Sequence, residues 1–200
     1  PKLLSRFVTF ARSANAIDET RADFDRLPWG PGKNVELDAE CEGHPRFKQV
    51  WFAGNHSDIG GSYPETESRL SDIALQWMIE EATKIPNGLK VDGLRAPGDA
   101  LGNPKLRLFP ASDGLQHCEI AGMRDTLDRL KPRVLAKLLS SKNWAEKVRA
   151  IHPEAPIHPT LAERFELTSA PQINGSGPYR PEALRQHKNF HHHYKDRANG

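Results

Sequence analysis

The sequence predicts a mixed α/β chain built around a strand, a glycine-rich loop and an amphipathic helix. Residues 47–53, Phe-Lys-Gln-Val-Trp-Phe-Ala, are aromatic and β-branched with a continuously apolar core, as suits a strand buried on both faces in a parallel sheet. From Ser68 to Lys84 the apolar residues Leu70, Ile73, Ala74, Trp77, Met78 and Ala82 fall on one helical face. The 15 Gly and 16 Pro residues in 200 spread much of the remainder over loops.

Composition removes several classes. An apolar share of 37%, a charged share of 27% and a net charge of +2 do not describe a disordered chain. The longest apolar runs, such as 50–53, are far short of the roughly 18 residues a membrane helix needs. Cys41 and Cys118 cannot form a disulfide framework, so a reducing compartment is the default. The chain opens at Pro1 with no signal-peptide pattern, and a piece of a longer polypeptide is expected.

In chain order, Phe7, Phe10, Ala11, Ala14 and Ile17 predict a helix over 6–27, broken by Leu27-Pro28-Trp29-Gly30-Pro31-Gly32. Residues 33–46 read as a polar, acidic loop or edge hairpin. The strand at 47–53 leads through a loop at 54–63 into the helix at 68–84, capped by Ser68 or Ser71 and stopped by Ile85-Pro86-Asn87-Gly88. Residues 92–120 are loop-like, and 123–150 form a basic helical stretch interrupted near Pro132. A short helix is expected over Thr160–Phe165, and the segment from Gly175 to Gly200 ends rich in His and Lys. No internal repeat is present.

The chemistry concentrates in Gly54-Asn55-His56-Ser57-Asp58-Ile59-Gly60-Gly61-Ser62-Tyr63. Ligands of open α/β sheets bind beyond the carboxyl ends of the strands, where His56 is placed. Hydrolases of the α/β type carry their catalytic histidine on such a loop, last in the order Ser, Asp, His. A neutral imidazole there takes a proton from a seryl hydroxyl and returns it to the leaving group. The alternative is a loop histidine with a purely structural hydrogen bond. Asp58 either orients His56 or closes a turn by accepting amide hydrogen bonds from Gly60 or Gly61, and the turn role is favoured. Gly60 and Gly61 are expected to allow close backbone approach beside the site. Tyr63 and Trp77 read as packing residues.

The run 49–63, continued by Leu70-Ser71-Asp72-Ile73-Ala74-Leu75-Gln76-Trp77-Met78, resembles the Tle1-like catalytic domain of type VI secretion phospholipase effectors. Ala16-Ile17-Asp18-Glu19-Thr20-Arg21 with Leu27-Pro28-Trp29, and more loosely Ile157-His158-Pro159-Thr160 and 178–184, resemble other segments of that family. The resemblance implies the C-terminal part of an α/β-hydrolase-type sheet with helical, loop-rich additions. It also implies a Ser-Asp-His triad acting on lipid esters, with His56 matching the general base. Residues 1–122 would belong to the catalytic domain and 123–200 to its helical, loop-rich extension. A nucleophile elbow of the Gly-x-Ser-x-Gly type is absent, and Ser176 in Gly175-Ser176-Gly177 reads as a flexible turn. The nucleophile, and the acid with it, are therefore expected upstream; an acid within the chain would be Asp18 or Asp58. Such chemistry requires no metal or organic cofactor. An effector of this kind implies a lipid or other ester substrate, membrane-surface contact, an immunity protein and a secretion-spike component. It would reside in the cytoplasm of the producing cell before contact-dependent secretion.

Other signals are discounted. His187, His191, His192 and His193 read as a solvated tail, since consecutive histidines cannot converge on one ion. The basic stretch 124–149 has eight Lys/Arg and three Asp/Glu. It reads as a solvated helix face, with contact to anionic lipid second and no nucleic-acid motif beside it. Asp18, Glu19, Asp23 and Asp25 read as a solvated acidic face without the spacing of a calcium loop. The rival to a hydrolase portion is a non-enzymatic binding or scaffold fragment of hydrolase-like fold. Lacking nucleophile and oxyanion hole, the 200 residues alone are predicted not to hydrolyse esters. A purified, mutation-sensitive esterase activity of this chain would overturn that.

Overall fold

Strand β4, Phe47–Phe52, is the middle element of the architecture because its backbone is paired on both sides. On one side it runs parallel to β1, Ala11–Ala16, with Ala11 opposite Phe47 and Ala16 opposite Phe52. On the other, Trp51 bridges in parallel to Ile157: its amide donates to Pro156 O at 3.0 Å and its carbonyl accepts from His158 N at 3.0 Å. The computed structural model describes residues 7–21, 24, 40–91, 94–95, 106–118 and 147–197. The Pro/Gly break at 27–32 and the basic stretch 123–150, apart from residues 147–150, lie outside the described residues.

The described chain is mixed α/β. Short ladders join β2 (Glu40–Cys41) to β3 (His44–Pro45), β5 (Leu94–Arg95) to β6 (Leu106–Arg107), and β7 (Ala170–Gln172) to β8 (Gly175–Gly177). Helix α1 spans His56–Gly60, α2 Arg69–Lys84 and α3 Thr160–Glu166. Single 3₁₀ turns lie at Glu65–Glu67 and Glu182–Leu184, and a longer one at His191–Arg197.

The two faces of β4 feed two cores. Val50 and Phe52 meet Leu70, Ile73, Ala74 and Trp77 of α2. Trp51 meets Ile17 and the C-terminal residues Leu161, Phe165, Tyr179, Leu184, Phe190 and Tyr194. Helix α2 is held across both strands by ions as well. Glu81 accepts from Arg12 of β1 (Nε, 2.8 Å) and Lys48 of β4 (Nζ, 2.6 Å). Asp72, in the first turn of α2, where the helix dipole favours an anion, also accepts from Phe109 N at 2.8 Å. The helix stops at Ile85, which turns extended before Pro86.

Several expectations are corrected. The region 6–27 contains a strand in place of the predicted helix: Phe7, the residue that began the helical spacing, is 81% exposed, and pairing with β4 decides the backbone. The expected loop 54–63 contains α1. Of the loop or edge hairpin expected over 33–46, the described residues 40–46 contain the short antiparallel pair β2–β3. The acidic face is not solvated, since Glu19 is 2% exposed and Asp18 is enclosed by hydrogen bonds; Asp23 and Asp25 lie outside the described residues. The C-terminal segment is no solvated tail over 187–194. His187 is buried with its Nε2 at 3.0 Å from Ala155 O, and Phe190 and Tyr194 close the core, although His191 and His192 are exposed. Ser176 lies exposed in β8.

Phe165 is the hub of the C-terminal core. It is 1% exposed and its ring meets Tyr179 at 5.4 Å, Phe190 at 4.4 Å and Tyr194 at 6.3 Å. Phe165→Ala is expected to destabilise the chain by about 3–5 kcal/mol in chemical denaturation. Ile173→Ala, at a side chain 51% exposed, should change stability by no more than about 0.5 kcal/mol.

Candidate active site

Because β1 and β4 are parallel and in register, their carboxyl ends open on the same rim. The chain leaving β1 is still tied to β4, with Ile17 N donating to Phe52 O and Asp18 N to Gly54 O, each at 3.0 Å. Glu19 follows from one strand and His56 from the other. His56 Nδ1 lies 2.5 Å from Glu19 Oε2.

Helix α1 fixes His56 as its first residue. Asn55 is the cap, and its side-chain oxygen accepts from Ser57 N and Asp58 N, both at 2.8 Å. Asp58 Oδ2 returns the bond to Asn55 N at 3.0 Å, completing a capping box. Gly61 ends the helix in the left-handed region, φ 77°, where its amide reaches Ser57 O. The close approach expected at Gly60 and Gly61 occurs instead at Gly54, which has φ +113° and would place a Cβ 2.4 Å from that of Asp58. A Cβ on Gly60 would meet nothing within 4 Å.

Glu19 is held as an anion. Arg21 binds it through a two-pronged fork, Nε to Oε1 at 3.0 Å and Nη2 to Oε2 at 3.1 Å, and the Arg21 amide reaches Oε1 at 2.9 Å. Burial pushes its pKa up, but the hydrogen bonds from Arg21 and His56 outweigh this and bring it down to about 2. Phe24 stacks on His56 at 4.5 Å between ring centres, and the Arg21 guanidinium lies 4.0 Å from the centre of the Phe24 ring. The imidazole, 40% exposed, borders an open pocket of about 280 Å³ whose other walls include Asn15, Phe24, Trp51, Ile59 and Arg149. The remaining ring nitrogen, Nε2, has Ser57 Oγ at 3.1 Å and Arg21 Nη2 at 3.4 Å.

Asp18 and Asp58, the two carboxylates the sequence offers as the acid, have other partners. Asp58 Oδ2 also accepts from His117 N at 3.1 Å, and Oδ1 meets His117 Nδ1 at 2.7 Å; neither oxygen bonds to Gly60 or Gly61. The other nitrogen of His117 meets Glu67 at 3.1 Å, and Tyr63 stacks on the ring. Asp58 thus fastens the 106–118 segment to the cap of α1. Asp18 Oδ2 accepts from Gly54 N and from the Tyr179 hydroxyl, each at 2.7 Å. Burial raises its pKa to about 6 in spite of both bonds. Sequence reasoning missed Glu19 as the partner of His56, because the segment carrying it was read as a solvated helix. Among the described residues, no group of three or more His, Cys, Asp or Glu could hold a metal ion, and no helix is long and apolar enough to cross a membrane.

The raised pKa of Asp18 has a sign that can be measured. Its folded value of about 6 lies above the ordinary 3.8. The stability tied to its proton is therefore present below about pH 4 and lost as the pH rises through about 6. Asp18→Asn removes the titration while keeping an oxygen for Gly54 and Tyr179. The difference in Tm between variant and parent should move in the variant's favour from pH 4 to pH 7 in calorimetry. A difference that does not vary with pH would contradict the raised pKa.

A stretch of 44 residues is 44% identical to the uncharacterized protein YEL023C of Saccharomyces cerevisiae; it covers 20% of this chain and 6% of that protein. No solved structure matches. Residues 2–81, which include β1, Glu19, β4, His56 and most of α2, match the family described as the T6SS phospholipase effector Tle1-like catalytic domain.

Proposed function

We propose that His56 and Glu19 are the base and the orienting acid of a serine-type ester hydrolase acting on lipids, whose nucleophile comes from polypeptide outside these 200 residues. The observation that carries this reading is the 2.5 Å contact between His56 Nδ1 and Glu19 Oε2, formed across the carboxyl ends of neighbouring parallel strands. The acid precedes the histidine in the chain, as it does in α/β-hydrolases. The phospholipase family matched by residues 2–81 supports the substrate class.

In the proposed reaction Nδ1–H stays bonded to Glu19 while Nε2 accepts the proton of the seryl hydroxyl as its oxygen attacks the ester carbonyl carbon. The imidazolium so formed lies against the Glu19 carboxylate. It then gives the Nε2 proton to the departing alkoxide as the C–O bond breaks, leaving an acyl-enzyme. A water molecule repeats the sequence: Nε2 takes its proton, the hydroxide adds to the acyl carbon, and the seryl oxygen leaves with the proton restored. Phe24, 44% exposed, borders the pocket with apolar surface suited to a lipid aggregate. In a secreted antibacterial effector, the whole enzyme would also meet a spike component for delivery and an immunity protein for restraint.

One observation favours the scaffold reading. Ser57 Oγ already sits 3.1 Å from Nε2, so His56 could be a fully satisfied structural residue. Ser57 is itself 6% exposed within α1 and is poorly placed to attack a lipid ester. Three variants in the complete enzyme separate the readings. Glu19→Gln should lower kcat about 10⁴-fold, and His56→Ala about 10⁴- to 10⁶-fold with little change in Tm. Ser57→Ala should change kcat by less than about tenfold, since on this reading it neither moves a proton nor orients the base. Activity surviving His56→Ala removes the catalytic assignment and leaves the scaffold.

A further inference from the structure

Helix α1 is too short to hold His56 in place by itself. It has five residues, and an isolated turn is unfavourable because nucleation costs more than its first hydrogen bond returns. The direction of α1 is therefore set by what grips its cap. From one side Asp18 Oδ2 accepts from Gly54 N at 2.7 Å. From the other comes His117, which is 59 residues beyond Asp58 and touches both halves of the capping box. Its amide donates to Asp58 Oδ2 at 3.1 Å and its Nδ1 meets Asp58 Oδ1 at 2.7 Å. Its carbonyl accepts from Asn55 Nδ2 at 3.3 Å.

His117 is itself firmly held. Gln116, the residue before it, is tied to β7: its amide donates to Pro171 O at 3.1 Å and its carbonyl accepts from Ile173 N at 2.9 Å. The His117 ring stacks on Tyr63 with centres 3.5 Å apart, and its Nε2 lies 3.1 Å from Glu67 Oε2. The Tyr63 hydroxyl in turn accepts from Asn55 Nδ2 at 3.0 Å. Asp58 needs these donors: burial raises its pKa, and the bond from the His117 ring is the largest of those that oppose the rise. His117 is 6% exposed, has both ring nitrogens engaged and does not border the pocket beside His56, so it cannot serve as a second base.

We infer that His117 is a positioning residue for His56: by holding the Asp58 carboxylate against the Asn55 amide it fixes the start of α1, and with it the aim of the imidazole at Glu19. The inference rests on the proposed hydrolase function only for its kinetic consequence. Displacing a reacting group by about an ångström costs about a hundredfold in rate. Such an effect falls on kcat and spares KM, because the groups that bind substrate are not moved. A merely stabilising His117 would instead lower Tm and leave kcat per folded molecule unchanged. The choice of replacement separates the two. An asparagine amide takes the place of Nδ1 as donor to Asp58 but is too short to reach Glu67, whereas leucine keeps bulk and offers no donor.

The test uses the complete enzyme and two readouts. In kinetics, His117→Leu should lower kcat per folded molecule about a hundredfold with KM within about threefold of the parent, and His117→Asn should recover to within about tenfold. The second readout needs no substrate. In proton NMR with isotope-labelled histidine, the Nδ1 proton of His56 bonded to Glu19 should be seen in the parent, lost in His117→Leu and restored in His117→Asn. A folded His117→Leu with parental kcat and an unchanged His56 signal would overturn the inference. So would a His117→Asn variant that restores neither. If the parent hydrolyses no ester and the His56 signal still follows the series, the hydrolase reading fails and the positioning role stands. Should His117→Leu not fold, Glu67→Ala decides. It frees Nε2 at a side chain 43% exposed and should lower kcat about three- to tenfold. An unchanged kcat together with an unchanged His56 signal in that variant would sink the inference.

Discussion

The parallel pairing of β1 with β4 is the constraint on which the rest of the arrangement depends. Two six-residue strands in register bring two chain segments 37 residues apart to one rim, so that Glu19 and His56 meet. A one-residue slip would exchange the faces of β1 and move Asn15 to the side of Ala14 and Ala16. Glu81 resists such a slip by reaching Arg12 and Lys48, which are directly opposite each other in the ladder. The electrostatic clamp at one end of the strands thus preserves the Glu19–His56 contact at the other.

Adjacent carboxylates at that rim have opposite fates. Asp18 meets a backbone amide and a phenol, neither of them charged, and burial dominates its titration. Glu19 meets a guanidinium fork and an imidazole, and these dominate instead. The first carboxylate ties the C-terminal layer to the histidine loop, because Tyr179 belongs to the core around Phe165. Arg164, fully buried, completes that layer by donating to the carbonyls of Ser112, Gly114 and Pro171. Residues far beyond the family-like stretch therefore hold the rim of Glu19 and His56 in place, which shortens the distance between fold stability and site geometry.

Much of this was legible in the sequence where burial and pattern agreed. The strand at 47–53, its parallel setting, the helix at 68–84 and the short helix beginning at Thr160 follow from apolar runs and helical periodicity, and the structure places each within a residue or two. The first strand was not legible. Ala-Arg-Ser-Ala-Asn-Ala has no β-branched or aromatic residue, and its alanines fit helical spacing as readily as strand alternation. Only its neighbour makes it a strand. Missing it concealed Glu19, since an acid read on a solvated helix carries no signal of a site. The cap of α1 was legible in principle: Asn55 with Asp58 three residues later has the spacing of a capping box. Read instead as a glycine-rich loop, it sent Asp58 to the wrong amides. The structural partners of Asp58 and Asp18, His117 and Tyr179, lie 59 and 161 residues away, and no local pattern announces a contact of that separation.

Competition at one nitrogen favours one tautomer of His56. Nδ1 faces both Glu19 Oε2 at 2.5 Å and Arg21 Nη2 at 2.8 Å. If Nδ1 offered a lone pair to Arg21, that lone pair would also point at a carboxylate oxygen held charged at the shorter distance, an arrangement that repels. If Nδ1 carries the proton, it donates to Glu19, and Arg21 gives up its 2.8 Å contact with Nδ1 but keeps its fork on the same carboxylate. The second arrangement leaves the lone pair on Nε2, which is the nitrogen a base needs. Arg21 therefore acts through Glu19: by fixing both carboxylate oxygens it limits rotation of the acid and favours the ring form that the proposed base requires. A lysine could supply the charge without the fork, so it would keep the carboxylate ionised but would not hold it in the orientation that chooses the tautomer.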